Sequence, residues 1–203
     1  MQRRRLFLLL AACGVSARAP AFARRIQPAD PPADLSDAAL WQRLRGGGHV
    51  LLIRHAATDP GIGDPSGFVL GRCATQRNLS AAGRRDAEAL GAAVRAHGVP
   101  IGTVWSSRWC RCLDTARLAF GRVEPAPVLD SMFQDEDGAV QAKLAGLRER
   151  LAALDLTRNA VLVTHDVNIR ALVRQAVVPG EVVVARVADG TLQVLGRLRT
   201  GAR

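Results

Sequence analysis

Three short polar stretches hold the side chains best suited to chemistry, and each follows an apolar run. Arg54-His55 closes Val50-Leu51-Leu52-Ile53. Ser107 follows Val104-Trp105, with Arg111 one helical turn later. His165-Asp166 closes Ala160-Val161-Leu162-Val163-Thr164. Two histidines and two arginines at one site suit transfer of a phosphoryl group. A neutral imidazole attacks phosphorus and becomes a phosphohistidine. The arginines and the second imidazole neutralise charge on the equatorial oxygens. A helix starting near Ser107 would add backbone donors and a favourable dipole. Burying Arg54 and His55 without an anionic partner costs roughly several kcal/mol, so an anion is expected beside them.

The elements that must position these residues follow from the pattern. Runs of four apolar residues that are β-branched or Leu read as strands buried on both faces, hence parallel. Polar side chains at the carboxyl ends of such strands converge on one crevice in doubly wound sheets. Between the strands, Ser36 caps a short helix ending at Gly46-Gly47-Gly48, and Ser80 caps another from Ala81 to about His97. Helices are also expected over Arg108–Phe120, Ala139–Leu154 and Val167–Val177. Val123–Leu129 contains two prolines and is at best an edge strand. Glu181–Val187 and Thr191–Leu198, joined across Asp189-Gly190, read as a closing hairpin. The expected architecture is a three-layer α/β/α sandwich with a mostly parallel sheet over residues 35–203. The connection from Thr58 to about Arg77 is long and rich in Gly, Pro and Asp, a kind of loop that is usually functional.

These residues resemble the signatures of a known family. Arg54-His55-Ala56 resembles the R-H-G/A signature of the histidine phosphatase superfamily, related to phosphoglycerate mutase. Ser107-x-x-x-Arg111-x-x-x-Thr115-Ala116, Val163-Thr164-His165 and Asn78-Leu79-Ser80-x-x-Gly83 resemble its other segments, in the same order. The resemblance implies a phosphoglycerate mutase-like fold and a phosphatase acting on phosphomonoesters. It implies His55 as nucleophile, His165 as second histidine, and Arg54, Arg111, Ser107 and Thr58 as phosphate-binding residues, with no cofactor and no metal. A metal site built from His49, His55, His165 and Asp166 is disfavoured because the two arginines would repel a cation. His49 and His97 receive no catalytic role.

The chain departs from the family pattern in three places. Gly61 stands where many members have a phosphate-contacting Asn, and Cys112 replaces an Ala. In Leu129-Asp130-Ser131, a serine occupies the position of the usual acidic Glu. The proton donor must then be Asp166, as in the acid-phosphatase branch of the family, or Asp135 or Asp137, or be absent. Without one, the chain reads as a non-catalytic binder of phosphorylated ligands. Arg72, Arg77 and Arg108 read first as solvated arginines, and Asp135-Glu136-Asp137 as a solvated turn.

The net charge of +10 is carried almost wholly by arginine, with Lys143 the only lysine. Arginine favours bidentate recognition of phosphate or carboxylate. Nucleic acid is not the expected partner: no basic run follows the first residues, and only 4% of residues are aromatic. A phosphorylated small molecule or envelope component fits better.

Residues 1–23, with Arg3-Arg4-Arg5 before an apolar stretch, read as an export signal, and 24–34 as a proline-rich linker. Cleavage after Ala23 competes with lipidation at Cys13, which follows a lipobox-like Leu10-Ala11-Ala12. Arg4-Arg5-Leu6-Phe7-Leu8 also resembles a twin-arginine motif. Either processing route places the mature chain in the periplasm or envelope, where a bridge from Cys73 to Cys110 or Cys112 can persist.

Overall fold

The computed structural model describes residues 34–199. The expected signal segment, the candidate lipidation position Cys13 and nearly all of the expected linker therefore lie outside the described residues. Six strands form one sheet: β1 Val50–Arg54, β2 Ile101–Ser106, β3 Glu124–Pro125, β4 Asn159–Thr164, β5 Val182–Ala188 and β6 Thr191–Leu198. Five helices flank it: α1 Asp37–Arg45, α2 Ala81–Ala96, α3 Cys110–Phe120, α4 Asp137–Ala152 and α5 Asp166–Val173. The strand order is β3-β2-β4-β1-β5-β6. The first four strands run parallel, and the β5–β6 hairpin pairs antiparallel with β1. Asp189 and Gly190 both take positive φ in the hairpin turn, 49° and 67°, a backbone that Asp and Gly tolerate well.

The strand alternation divides the core in two. Leu51 and Ile53 of β1 pack with Leu40 and Leu44 of α1, Leu90 and Val94 of α2, and Ala116 of α3. Val50 and Leu52 pack on the other side with Leu147 and Leu151 of α4 and Ile169 of α5. Both faces of the central strands are therefore dry, and each fully buried Leu or Ile contributes about 1.5–3 kcal/mol. A continuous apolar run is the sequence form of a strand covered on both sides.

Several boundaries differ from the expected ones: α4 lies two residues earlier at both ends, and the edge strand shrinks to Glu124–Pro125. α3 starts at Cys110, with Trp109 at its N-cap, two residues later than expected. α5 ends at Val173 because Arg174 turns left-handed, with φ 55°, and gives its N–H to the Arg170 carbonyl. The chain beyond it returns to the end of β1, where the N–H of Gly180 meets the carbonyl oxygen of Arg54.

Insertion of β4 between β1 and β2 makes the three chemistry-bearing strands direct neighbours. Their carboxyl ends are held in register: the His55 N–H donates to Thr164 O, and the Ser107 N–H to Val163 O. Two of the signature segments serve this alignment. The Thr115 hydroxyl accepts the Ala56 N–H at 3.0 Å and donates to Arg111 O at 2.7 Å. Ser80 caps α2 by accepting the Gly83 N–H, while its own N–H holds Ala57 O. A Cβ at position 83 would sit 1.9 Å from Ala57 O, so only glycine lets α2 lie against the loop after β1.

Candidate active site

A cavity of about 760 Å³ opens at the carboxyl ends of β1 and β4. Arg54, His55, Arg111, His165 and Asp166 all line it, so the structure brings together most of the residues singled out from the sequence. Thr58 is not among the lining residues; its backbone bridges Leu79, which fastens the start of the long loop to the entry of α2. Ser107 is fully buried and touches His165 instead: its Oγ lies 2.9 Å from His165 Nε2.

His55 is buried, and its Nδ1 lies 2.9 Å from the carbonyl oxygen of Ala56. A carbonyl only accepts, so Nδ1 carries the proton and Nε2 keeps its lone pair. Burial, reinforced by Arg111, Arg54 and Arg77, pushes the His55 pKa down to about 3 despite that hydrogen bond. At neutral pH the ring is therefore uncharged. His165 is held neutral for the same leading reason, burial, with His55 and Arg111 adding to it. The two rings meet edge to face at 5.4 Å. Cys112 Sγ sits 3.5 Å from His165 Nε2, and burial pushes its thiol up to about 12, so it stays protonated.

The arginines are oriented by contacts the sequence did not reveal. Arg54 gives Nη1 to Val177 O at 2.6 Å, in the segment that doubles back after α5. Arg111 gives Nη1 to Asp64 Oδ1 at 2.8 Å, a pair in which both side chains are buried. Asp64 also accepts the Arg77 N–H at 2.9 Å and Trp109 Nε1 at 3.0 Å. Burial pushes its carboxyl up, but these donors win and hold it below the ordinary carboxylate range. Arg77, which reads as solvated in the sequence, lines the cavity and gives Nη1 to Gly61 O at 2.7 Å. Nε of Arg54, of Arg77 and of Arg111 is buried without a protein partner. Arg108 instead pairs with Asp130, which is buried beside Ser107. Asp64 is not singled out in the sequence, where its only signal is its place in a long Gly/Asp-rich loop, whereas Arg77 reads there first as solvated and second as a guide for anionic substrates.

Three carboxylates line the cavity, and each is paired to a protein cation: Asp64 with Arg111, Asp135 with Lys143 at 2.6 Å, and Asp166 with Arg170 at 2.7 Å. Asp166 Oδ1 also accepts the Val177 N–H at 3.1 Å. Burial raises its pKa, but the Val177 N–H and Arg170 outweigh this, and the net shift is downward. Asp137 opens α4 and does not line the cavity. With three carboxylates paired off, Arg54 and Arg77 are the lining guanidiniums without a carboxylate partner among the described residues. Their combined charge of two matches a phosphoryl dianion.

The remaining candidates have structural roles. His49 Nδ1 lies 2.6 Å from Gly47 O, and His97 stacks on Trp41 at 4.2 Å. Among the described residues no group of three His, Cys, Asp or Glu is arranged to hold a metal ion. Cys73 and Cys110 form a disulfide, leaving Cys112 free. The bridge ties the long loop to the first residue of α3, next to Arg111.

Comparison with known proteins agrees with this architecture. The family model of the histidine phosphatase superfamily (branch 1) matches residues 50–137. An Escherichia coli protein assigned as an alpha-ribazole-5'-P phosphatase superposes with a TM-score of 0.56 at 21% identity, covering 76% of this chain and 98% of that one. The Rv3214 protein of Mycobacterium tuberculosis gives 0.55 at 18% identity, covering 75% and 97%. The protein histidine phosphatase SixA, complexed with tungstate, gives 0.51 at 14% identity, covering 75% and 97%. These likenesses show a shared fold. No curated protein matches the chain in sequence.

Proposed function

Because the chain carries the signature residues and the fold of the histidine phosphatase superfamily, we propose that it is an exported, metal-independent phosphatase that hydrolyses phosphomonoesters through a phosphohistidine on His55. The observation that carries this reading is the state of His55. Its proton is fixed on Nδ1 by the Ala56 carbonyl, and the ring is neutral. The opposite nitrogen, Nε2, is the nucleophile, in a cavity lined by three guanidiniums.

Nε2 attacks phosphorus while the ester oxygen departs, and water then attacks the phosphohistidine to release inorganic phosphate. Arg54, Arg77 and Arg111 balance charge on the equatorial oxygens, and His165 adds its remaining ring nitrogen. The tungstate complex of SixA supports the reading that this fold accepts a tetrahedral oxyanion. Export is supported by the arginine-then-apolar start of the sequence and by the disulfide.

The test is turnover of an aryl phosphate by wild type and by His55→Ala, with brief exposure to labelled substrate. We expect acid-labile, base-stable label on His55 and no turnover in the variant. An active wild type without label, or an active His55→Ala, overturns the mechanism. The pairing of all three cavity carboxylates favours the second reading, a non-catalytic binder of phosphorylated ligands. That reading expects phosphate binding without turnover of any ester.

A further inference from the structure

Beyond the arginines, the cavity is lined by apolar side chains: Ile62, Phe68, Trp109 and Phe133. Trp109 links the two regions. Its ring meets His165 edge-on at 5.5 Å, and Phe68 lies 5.8 Å from it. Ile62 is 97% exposed and Phe133 68%, and these are two of the four exposed large hydrophobic side chains among the described residues. Apolar side chains exposed singly need no explanation, but gathered at the mouth of a cleft they mark where a ligand's apolar surface rests. The cavity volume of about 760 Å³ is that of a site for a whole small molecule rather than for a phosphate alone.

A second feature concerns the leaving group. Each of the carboxylates lining the cavity is held by a cation: Asp64 by Arg111, Asp135 by Lys143 and Asp166 by Arg170. The donors around Asp64 and Asp166 hold both carboxyls below the ordinary carboxylate range, in the acceptor-only form. A departing alkoxide would find no carboxylic proton on either of these two, whereas a phenolate departs without one.

We propose that the substrate is an aryl phosphate whose ring lies against Trp109, Phe68 and Phe133 while its phosphoryl group sits among the arginines. This rests on the phosphatase reading above and names its substrate class. The P–N bond to His55 Nε2 forms as the P–O(aryl) bond breaks, and the electron pair leaves on the phenolate oxygen. The phenolate takes a proton from water. The resulting hydroxide attacks phosphorus, and the P–N electron pair returns to Nε2. The products are the phenol and inorganic phosphate. The aryl group belongs either to a free phenol or to a tyrosine side chain, since both present the same arene and oxygen.

Two measurements test this. Calorimetry compares 1-naphthylmethylphosphonate with methylphosphonate on wild type and on Phe133→Ala. Steady-state rates compare 1-naphthyl phosphate, a phosphotyrosyl peptide, glycerol 2-phosphate and glucose 6-phosphate. We expect the naphthyl phosphonate to bind at least tenfold tighter than methylphosphonate. Phe133→Ala should weaken it by about three- to tenfold and leave methylphosphonate binding unchanged. Both aryl esters should outpace both alkyl esters in kcat/KM. A faster naphthyl ester assigns the substrate to a free phenol, and a faster peptide to tyrosine. Equal binding of the two phosphonates, or faster turnover of glucose 6-phosphate, overturns the proposal and leaves the phosphatase reading intact. Binding of neither phosphonate together with hydrolysis of no ester overturns both.

Discussion

Asp64 Oδ1 lies 2.8 Å from Arg111 Nη1, with side-chain exposures of only 7% and 6%. The carboxylate fixes the guanidinium from one side and, through Trp109 and the Arg77 backbone, joins the long loop to the start of α3. Asp64→Asn keeps the shape and removes the charge. Misplacing a transition-state contact by about 1 Å costs about 10²-fold in rate. We therefore expect kcat to fall by about 10–100-fold while inorganic phosphate inhibits no more weakly than in wild type. An unchanged kcat, or a loss confined to phosphate binding, would remove Asp64 from the positioning role.

The contrast between Asp64 and His55 shows what was legible in the sequence. His55 and His165 end runs of apolar residues, and a run buried on both faces identifies its own strand and the position of its last residue. The sheet, its parallel half and the closing hairpin follow from the same local pattern. Asp64 meets Arg111 across 47 residues, from a loop with no period to read. The Val177 backbone reaches Arg54 across 123 residues, from the irregular segment that follows the left-handed Arg174 at the end of α5. Such contacts depend on where irregular segments come to rest, and residue types at a spacing do not encode that. The choice of Cys110 over Cys112 as partner of Cys73 is of the same kind.

The arginines should not tolerate lysine. A lysine supplies a point charge in place of a planar fork. Hydrogen bonds to charged groups are worth about 1.5–3 kcal/mol, so Arg54→Lys and Arg111→Lys should each lower kcat/KM by at least about tenfold. Arg77→Ala should weaken inhibition by inorganic phosphate to a comparable degree, which a solvated arginine would not do. A chelator should leave all rates unchanged. Activity lost in chelator and restored by a divalent ion would contradict the metal-independent mechanism.

The Cys73–Cys110 bridge joins residues 37 apart. Closing a loop of that size stabilises by about 4 kcal/mol in the chain-entropy model. Reduction, or Cys73→Ser, should lower the urea midpoint accordingly. It should also raise KM, because the freed loop carries Asp64 and Arg77. Non-reduced peptide mapping should return a single bridged pair with Cys112 alkylated only after unfolding. Rapid alkylation of three thiols in folded, oxidised material would rule out the bridge.

The two buried histidines make the fold sensitive to acid. In the unfolded chain they titrate near about 6.5, whereas folded His55 titrates at about 3 and His165 well below its ordinary value. Between those limits the unfolded state binds the extra protons, so stability rises with pH and is lost as pH falls below about 6.5. The slope is up to about 1.4 kcal/mol per pH unit for each histidine. Urea midpoints measured from about pH 7 to about pH 5 should fall, and His55→Asn should flatten the dependence. A midpoint that holds steady over this range would mean that the rings are not buried neutral.

The final test separates two roles for Asp166. Its Oδ1 accepts the Val177 N–H while Val177 O receives Arg54 Nη1, so one backbone residue connects the carboxylate to the Arg54 guanidinium. Arg170 holds the other oxygen at 2.7 Å. These contacts keep the carboxyl ionised at neutral pH, which suits an anchor of Arg54 and leaves no proton to donate. Asp166→Asn retains an oxygen for the Val177 N–H and removes the charge. As an anchor, Asp166 predicts a modest rise in KM at neutral pH, equal for naphthyl and glycerol phosphates. General acid catalysis contributes about 10²–10⁴-fold, so an acid role would slow glycerol phosphate by that factor and spare the naphthyl ester. Protonation of a low-pKa carboxyl would also confine that selective loss to the acid side of the profile. Rate profiles for both esters from about pH 4 to about pH 8, on wild type and variant, decide between the two. Equal KM shifts with parallel profiles establish the anchor, and a selective loss of glycerol phosphate turnover establishes the acid.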